Sequence, residues 1–268
     1  GLKLFCSGIG LQHPDVTNAS RRIKKKEFDK CQANGIDMTE IVIGFDGIVL
    51  ANARNGVPLK LTRKQIYLAT AKLVPDPNKP CQAAWCAPIA NPYKKWSDID
   101  ASLPDMKIEI LGPPPTSGTR DAFQELAMSK GANSFPHMKA LKKTDKSLWK
   151  KLTRTIREDG GWIDAGENDN LMVSKLAANS RAVGVFGFSF LDQNAEKIRG
   201  AIVEDVVPSF DNIADGKYGI SRSLYFYIKQ AHVGTVPGIL EYVREFTSED
   251  AFGEDGYLLD KGLIPLPR

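Results

Sequence analysis

The run Gly112-Pro113-Pro114-Pro115 restricts the fold of this chain more than any other feature. Each proline locks φ at about −65° and removes a backbone donor, so neither a helix interior nor a central strand can contain the run. The residues before it, Lys107 to Leu111, read as a strand. After it, spacing predicts a helix over 119–130 ended by Gly131. The segment is therefore a strand-loop-helix unit, and Thr116-Ser117-Gly118-Thr119-Arg120 falls where the helix begins.

That position has a chemical consequence. The first turn of a helix leaves N–H groups without intrahelical acceptors and carries positive partial charge, which suits a phosphate or sulfate. Ser117 and Thr119 supply hydroxyl donors, Gly118 allows close backbone approach, and Arg120 adds a charge-assisted, bidentate donor. An ordinary Ser or Thr N-cap followed by a surface arginine would give the same pattern. A second segment, Thr17-Asn18-Ala19-Ser20-Arg21-Arg22-Ile23-Lys24-Lys25-Lys26-Glu27, also places a hydroxyl and arginines before a predicted helix. Here Ser20 and Arg21 are candidate ligands, while the lysines form a solvated face.

Elsewhere strands and helices alternate, which predicts an α/β architecture with helices covering mixed sheets. Ile41-Val42-Ile43-Gly44-Phe45 reads as a strand, Asp46-Gly47 as a turn and Ile48-Val49-Leu50-Ala51 as a second strand. A helix follows over 61–69 with Thr62 as N-cap, then a loop over 74–92. A basic helix is predicted over 139–157, with Leu141, Leu148, Leu152 and Ile156 facing the core. A helix starting at Asn168 or Asp169, strands over 182–191, 201–207 and 224–228, and a helix over 237–246 complete the pattern. At 268 residues the chain is at the upper limit for one core, which favours two lobes.

Composition excludes several classes. With 42% hydrophobic and 25% charged residues the chain is neither disordered nor fibrous, and no apolar run is long enough to span a bilayer. A net charge of +4 is too small for a dedicated nucleic-acid binder, although the basic stretch 139–157 would suit one and the short run Arg22 with Lys24 to Lys26 could also touch nucleic acid or heparin. His13, His137 and His232 lack metal-ligand spacing, and no nucleophile elbow, Walker loop or dinucleotide fingerprint occurs. Glu167-Asn168-Asp169-Asn170 lacks the ligand spacing of a calcium loop and reads as a helix cap. Trp85, Trp96, Trp149 and Trp162 read as core residues. Cys6, Cys31, Cys81 and Cys86 leave three readings open: two local disulfides, free thiols, or a zinc site for which only Cys81 and Cys86 approach knuckle spacing.

Taken in order, several segments resemble the PstS family of phosphate-binding proteins that serve ABC transporters. They are Leu4-Phe5-Cys6-Ser7-Gly8-Ile9-Gly10, Asn18-Ala19-Ser20-Arg21-Arg22-Ile23-Lys24, Gly44-Phe45-Asp46-Gly47-Ile48-Val49-Leu50, Asn91-Pro92-Tyr93-Lys94-Lys95-Trp96-Ser97-Asp98-Ile99 and Ser117-Gly118-Thr119-Arg120-Asp121-Ala122-Phe123. Val185-Phe186-Gly187-Phe188, Leu224-Tyr225-Phe226-Tyr227 and residues 257–265 extend the likeness. The resemblance implies a type II periplasmic-binding-protein fold, with two α/β lobes joined by two crossing strands and closing on phosphate. The lobes would be 1–50 with 216–268, and 51–215, with crossings near 48–51 and 216–222. It implies phosphate contacts from Ser117, Gly118, Thr119 and Arg120 in the second lobe and from Ser20 and Arg21 in the first. Cys6 and Cys31 match a cysteine pair of related sequences. A periplasmic, monomeric, non-enzymatic receptor follows, needing no cofactor and delivering inorganic phosphate to a membrane permease. Other readings are a receptor for sulfate or molybdate and an extracytoplasmic phosphohydrolase.

Two departures qualify the likeness. Some members carry an aspartate after the first-lobe serine, which accepts the proton of monohydrogen phosphate and so rejects sulfate; Arg21 stands there in this chain. The family's opening strand, its hydroxyl-bearing loop and a Gly-rich loop would precede Leu2, with Gly1 as the last residue of that loop, so the expectation is an incomplete first lobe and anion cage.

Overall fold

The computed structural model describes residues 1–79, 81, 86–166, 168–253 and 255–266. The chain divides into unit 1, comprising Gly1–Gly47, Ile213–Gly216 and Ser221–Arg268, and unit 2, comprising Ile48–Asn212 and Lys217–Ile220. One strand of 16 residues, Met38–Ala53, contributes to both. The turn expected at Asp46-Gly47 is therefore not made. Asp46 instead lies opposite Arg222 and Gly47 opposite Ser221, and the Asp46 carboxylate accepts from the Arg222 guanidinium rather than from the turn backbone it would otherwise cap.

In unit 1, Ser221–Lys229 lies between Val16–Ala19 and the first part of Met38–Ala53, antiparallel to each. Alternation along the strand sorts its side chains onto two faces. Phe226 and Ile228 pack with Ile43 under Val243 and Phe246 of the helix Ile239–Phe246. On the opposite face Tyr227 packs with Leu2, Phe5, Ile36 and the cystine of Cys6 and Cys31. Gly44 has φ +146°, and a Cβ there would sit 2.3 Å from the Ile264 carbonyl oxygen. Glycine thus lets the backbone of Phe45 exchange hydrogen bonds with Ile264 at 2.7 and 3.0 Å.

Unit 2 carries three parallel strands, with Ile110–Gly112 between Trp162–Asp164 and Val183–Gly187. Val183–Gly187 in turn pairs antiparallel with residues 48–51 of the long strand. Because these three strands point the same way, their carboxyl ends share one edge, the edge at which α/β sheets take their ligands. Thr62 caps the helix Arg63–Thr70 and forms a reciprocal capping box with Gln65. Asn168 caps Asp169–Ala178 through Leu171 N–H at 3.1 Å. Trp96, Trp149 and Trp162 are buried; Trp85 and Glu167 lie outside the described residues.

Several boundaries differ from expectation for local reasons. The helix after the proline loop passes Gly131, running as Gly118–Phe123, a π turn Gln124–Met128 and Ser129–Ala132. A Cβ at Gly131 would meet the Arg63 carbonyl oxygen at 1.9 Å, so this glycine serves helix contact, not termination. The basic helix is two helices, Pro136–Thr144 and Lys146–Arg154, because Asp145 ends the first and caps the second. The strand predicted over 182–191 stops at Gly187, where Phe188–Gln193 turns helical. That over 201–207 shortens to Ile202–Val203, since Glu204 and Asp205 take positive φ in a turn closed between Val203 and Val206. Two short strands, Leu73–Val74 and Ile89–Ala90, pair within the predicted loop. Cys6 is bonded to Cys31 and Cys81 to Cys86, which selects the disulfide reading over zinc or free thiols.

Arg157 ties unit 2 together. Its side chain is 2% exposed and donates to the Ala69 carbonyl at 3.1 Å, the Tyr93 carbonyl at 2.8 Å and both Asp159 oxygens at 2.6 and 2.7 Å. Five donors on one rigid plane let a single residue join a helix end, a loop and the turn leading to Trp162–Asp164. Arg157, and after it Lys94, hold the Asp159 carboxyl far below the usual carboxylate range. Replacing Arg157 with Met takes this donor from the Ala69 and Tyr93 carbonyls and leaves Asp159 with Lys94 and the Gly161 N–H, and should cost about 2–3 kcal/mol in thermal or denaturant unfolding. A depressed folded-state pKa contributes stability that is present above the unfolded value and lost as pH falls through the folded one. Stability should therefore fall below about pH 4, and Asp159→Asn should flatten that decline; an unchanged acid limb would refute the role.

Candidate functional site

The carboxyl end of Ile110–Gly112 delivers the chain into the proline run and then into the helix at Gly118. Ser117 is the N-cap: its N–H donates to the Pro114 carbonyl at 3.0 Å and its Oγ accepts from Thr119 N–H at 3.2 Å. A serine oxygen used as acceptor keeps its own O–H to donate, so capping and anion binding are compatible. A Cβ built on Gly118 would meet nothing within 4 Å, and the space over the first turn is open. The Gly118 and Arg120 N–H groups in that turn have no intrahelical acceptor.

Arg120 is not the loose surface arginine of the plain N-cap reading. Its side chain is 14% exposed and held from three directions. It donates to the Pro113 carbonyl at 3.0 Å, pairs with Asp164, and lies 5.4 Å from the centre of the Trp162 ring. Trp162 Nε1 also donates to Asp164 at 2.9 Å. A Cβ on Gly112 would come within 2.0 Å of the Trp162 ring, so glycine is what admits the indole beside the loop. The guanidinium is thus placed before any ligand arrives, which reduces the entropy lost on binding. Asp164 partly neutralises it.

In unit 1, Ser20 and Arg21 line one cavity of about 340 Å³ together with Gly1, Asn18 and Glu27. Ser20 Oγ accepts from Arg222 Nη1 at 3.1 Å, and Arg222 is itself held by Asp46 at 2.9 and 3.0 Å. Arg21 donates both terminal nitrogens to Glu27 at 2.8 and 2.7 Å. That pairing, with the Lys24 backbone N–H, pushes the Glu27 carboxyl down to about 2, against a partial desolvation. Lys24, Lys25 and Lys26 are exposed, as expected of a solvated face.

Sequence reading picked out Ser20, Arg21, Ser117, Gly118, Thr119 and Arg120 but missed the residues that orient them. Asp164 lies 44 positions from Arg120 and Arg222 lies 202 positions from Ser20, so no local pattern announces either. Glu27 stood in the second segment without an assigned role, and its pairing with Arg21 emerges only in the structure.

Residues 1–250 match the model of a PBP superfamily domain, and the chain belongs to that superfamily. It is 27% identical over 277 residues to the phosphate-binding protein PstS of Staphylococcus saprophyticus, covering 100% of this chain and 69% of the relative. The chain spans about two thirds of the length of the curated relatives it matches. Among solved structures, a possible phosphate binding protein from Planctomyces limnophilus aligns with TM-score 0.71 at 24% identity, over all of this chain and 79% of that one. An ABC-type phosphate transport receptor from Vibrio cholerae aligns with TM-score 0.61 at 18% identity, over all of this chain and 84% of that one. The fold is the type II periplasmic-binding-protein fold.

Two glycines separate binding from folding. Gly118→Val should leave the melting temperature within a few degrees, because its side chain enters open space, while anion affinity measured by calorimetry falls at least tenfold. Gly112→Ala should destabilise by about 1–3 kcal/mol through overpacking against Trp162. A Gly118→Val protein that binds as before would remove the loop from the site.

Proposed function

We propose that this chain is the ligand-capturing part of an extracytoplasmic receptor that binds inorganic phosphate and hands it to the permease of an ABC importer. It acts as a monomer and without catalysis. The observation that carries the reading is the Ser117 to Arg120 loop, a helix start with open space over Gly118 and a preplaced guanidinium, set at the carboxyl edge of three parallel strands. The names of the related proteins support phosphate as the anion and an ABC importer as its destination. Two disulfides support an oxidising compartment, and no helix among the described residues is long and apolar enough to cross a membrane.

In this reading Ser117, Gly118, Thr119 and Arg120 hold the anion in unit 2, and Ser20 with Arg21 are the anion-contacting residues of unit 1. Sulfate remains a second reading because Arg21, not a carboxylate, follows Ser20. Among the described residues lining the Ser20 cavity the acid is Glu27. An ionised carboxylate repels sulfate but accepts the proton that monohydrogen phosphate carries, so preference for phosphate rests on Glu27.

Isothermal titration tests both levels. Phosphate should bind one-to-one, and Arg120→Met should weaken it by about 10- to 100-fold, the worth of a charge-assisted hydrogen bond. Sulfate should compete poorly with the parent protein and better with Glu27→Gln, whose amide oxygen can still accept from the Lys24 backbone N–H. Equal competition by sulfate in the parent protein would overturn phosphate as the ligand.

A further inference from the structure

The helical pair Pro136–Thr144 and Lys146–Arg154 differs electrostatically from the rest of unit 2. Residues 136–154 contain Lys139, Lys142, Lys143, Lys146, Lys150, Lys151 and Arg154 against Asp145 alone. Seven positive charges less one give +6, more than the +4 of the whole chain, so the remaining residues sum to −2. All six lysines are exposed. Elsewhere in unit 2, Lys60, Lys72, Lys94 and Lys95 are each paired with a carboxylate while Lys64, Lys107, Lys130 and Lys175 are scattered along the chain; these six fall within residues 139–151, and among the described residues none of them is in an ion pair. Asp145, the local acid, is occupied as the cap of Leu148 N–H at 2.9 Å.

The buried side of the pair is complete without a partner. Met138, Leu141, Trp149 and Leu152 are covered, and Trp149 donates to Asn133 at 3.2 Å. No large apolar side chain of 136–154 is exposed. The surface therefore offers charge without an inserting wedge or a stacking platform. Clustered ammonium groups on flexible stems suit a diffuse sheet of negative charge better than the planar, bidentate recognition for which arginine is used. The two disulfides favour a compartment without resident nucleic acid.

We propose that residues 136–154 form an electrostatic docking surface for an anionic phospholipid bilayer. The inference rests on the extracytoplasmic receptor reading above, since such a receptor meets its permease at a membrane surface. Contact is peripheral, reversible and screened by salt.

Co-sedimentation of the full chain with vesicles tests this. Binding should occur to phosphatidylcholine vesicles containing phosphatidylglycerol, be absent from phosphatidylcholine alone, and disappear near about 0.5 M salt. Each neutralised lysine should lower partitioning by about fivefold, so Lys139→Gln, Lys143→Gln, Lys146→Gln and Lys150→Gln combined should abolish sedimentation. Lys142 is kept because its Nζ lies 4.8 Å over the Trp149 ring. Lys60→Gln and Lys72→Gln, which remove paired lysines, should have little effect. Phosphate titration of the same proteins separates the two readings: the fourfold variant should retain its phosphate affinity, whereas loss of phosphate binding by a chain that still sediments would count against the receptor alone. No sedimentation at low salt, equal sedimentation of the fourfold variant, or tighter binding to a duplex DNA oligonucleotide than to the anionic vesicles would overturn the docking surface.

Discussion

A buried guanidinium must find an acceptor for nearly all of its donors, and Arg157 does so by drawing three separated stretches of unit 2 onto one plane. The helix Arg63–Thr70, the loop around Tyr93 and the turn at Asp159 are held at fixed distances by that requirement. The turn leads directly into Trp162–Asp164, whose last residue pairs with Arg120. Placement of the candidate anion site thus descends from an ion pair that never touches it. Lys94 adds a second cation to Asp159 at 2.7 Å, so the carboxylate stays ionised across the neutral range.

Both candidate anion surfaces share one principle. In each, a cation is held by a nearby carboxylate before a ligand arrives: Arg120 by Asp164, Arg21 by Glu27, and Arg222, which orients Ser20, by Asp46. Such pairs offset part of the attraction for an anion but fix where the donors point, trading raw affinity for preorganisation. They also explain why a net charge of +4 says little about binding. The lysines of 136–154 are instead a concentration of charge that, among the described residues, no ion pair offsets.

The sequence was most informative where backbone chemistry is local. Pro113, Pro114 and Pro115 announced the strand-loop-helix junction, Thr62 and Asn168 announced helix starts, and Ser117 announced its own capping role. It was least informative where a residue's task is set by something distant. Asp46-Gly47 looks like a turn until Arg222 and Ser221 lie opposite, and Gly131 looks like a helix stop until the Arg63 carbonyl arrives against it. Asp145 is the instructive exception, a local capping signal overlooked within a long amphipathic pattern.

From the sequence alone came the α/β class, the family likeness and the hydroxyls, glycine and arginines of the anion loops, because these depend on residue type and near-neighbour order. Tertiary structure alone decided which carboxylate holds each arginine, which glycines are required by contact and which leaves open space for a ligand, and which lysines remain unpaired. Those outcomes depend on through-space distances between residues as far apart in sequence as Ser20 and Arg222 or Gly44 and Ile264, and hydrogen bonds and ion pairs decay over a few ångströms regardless of how the chain connects their ends.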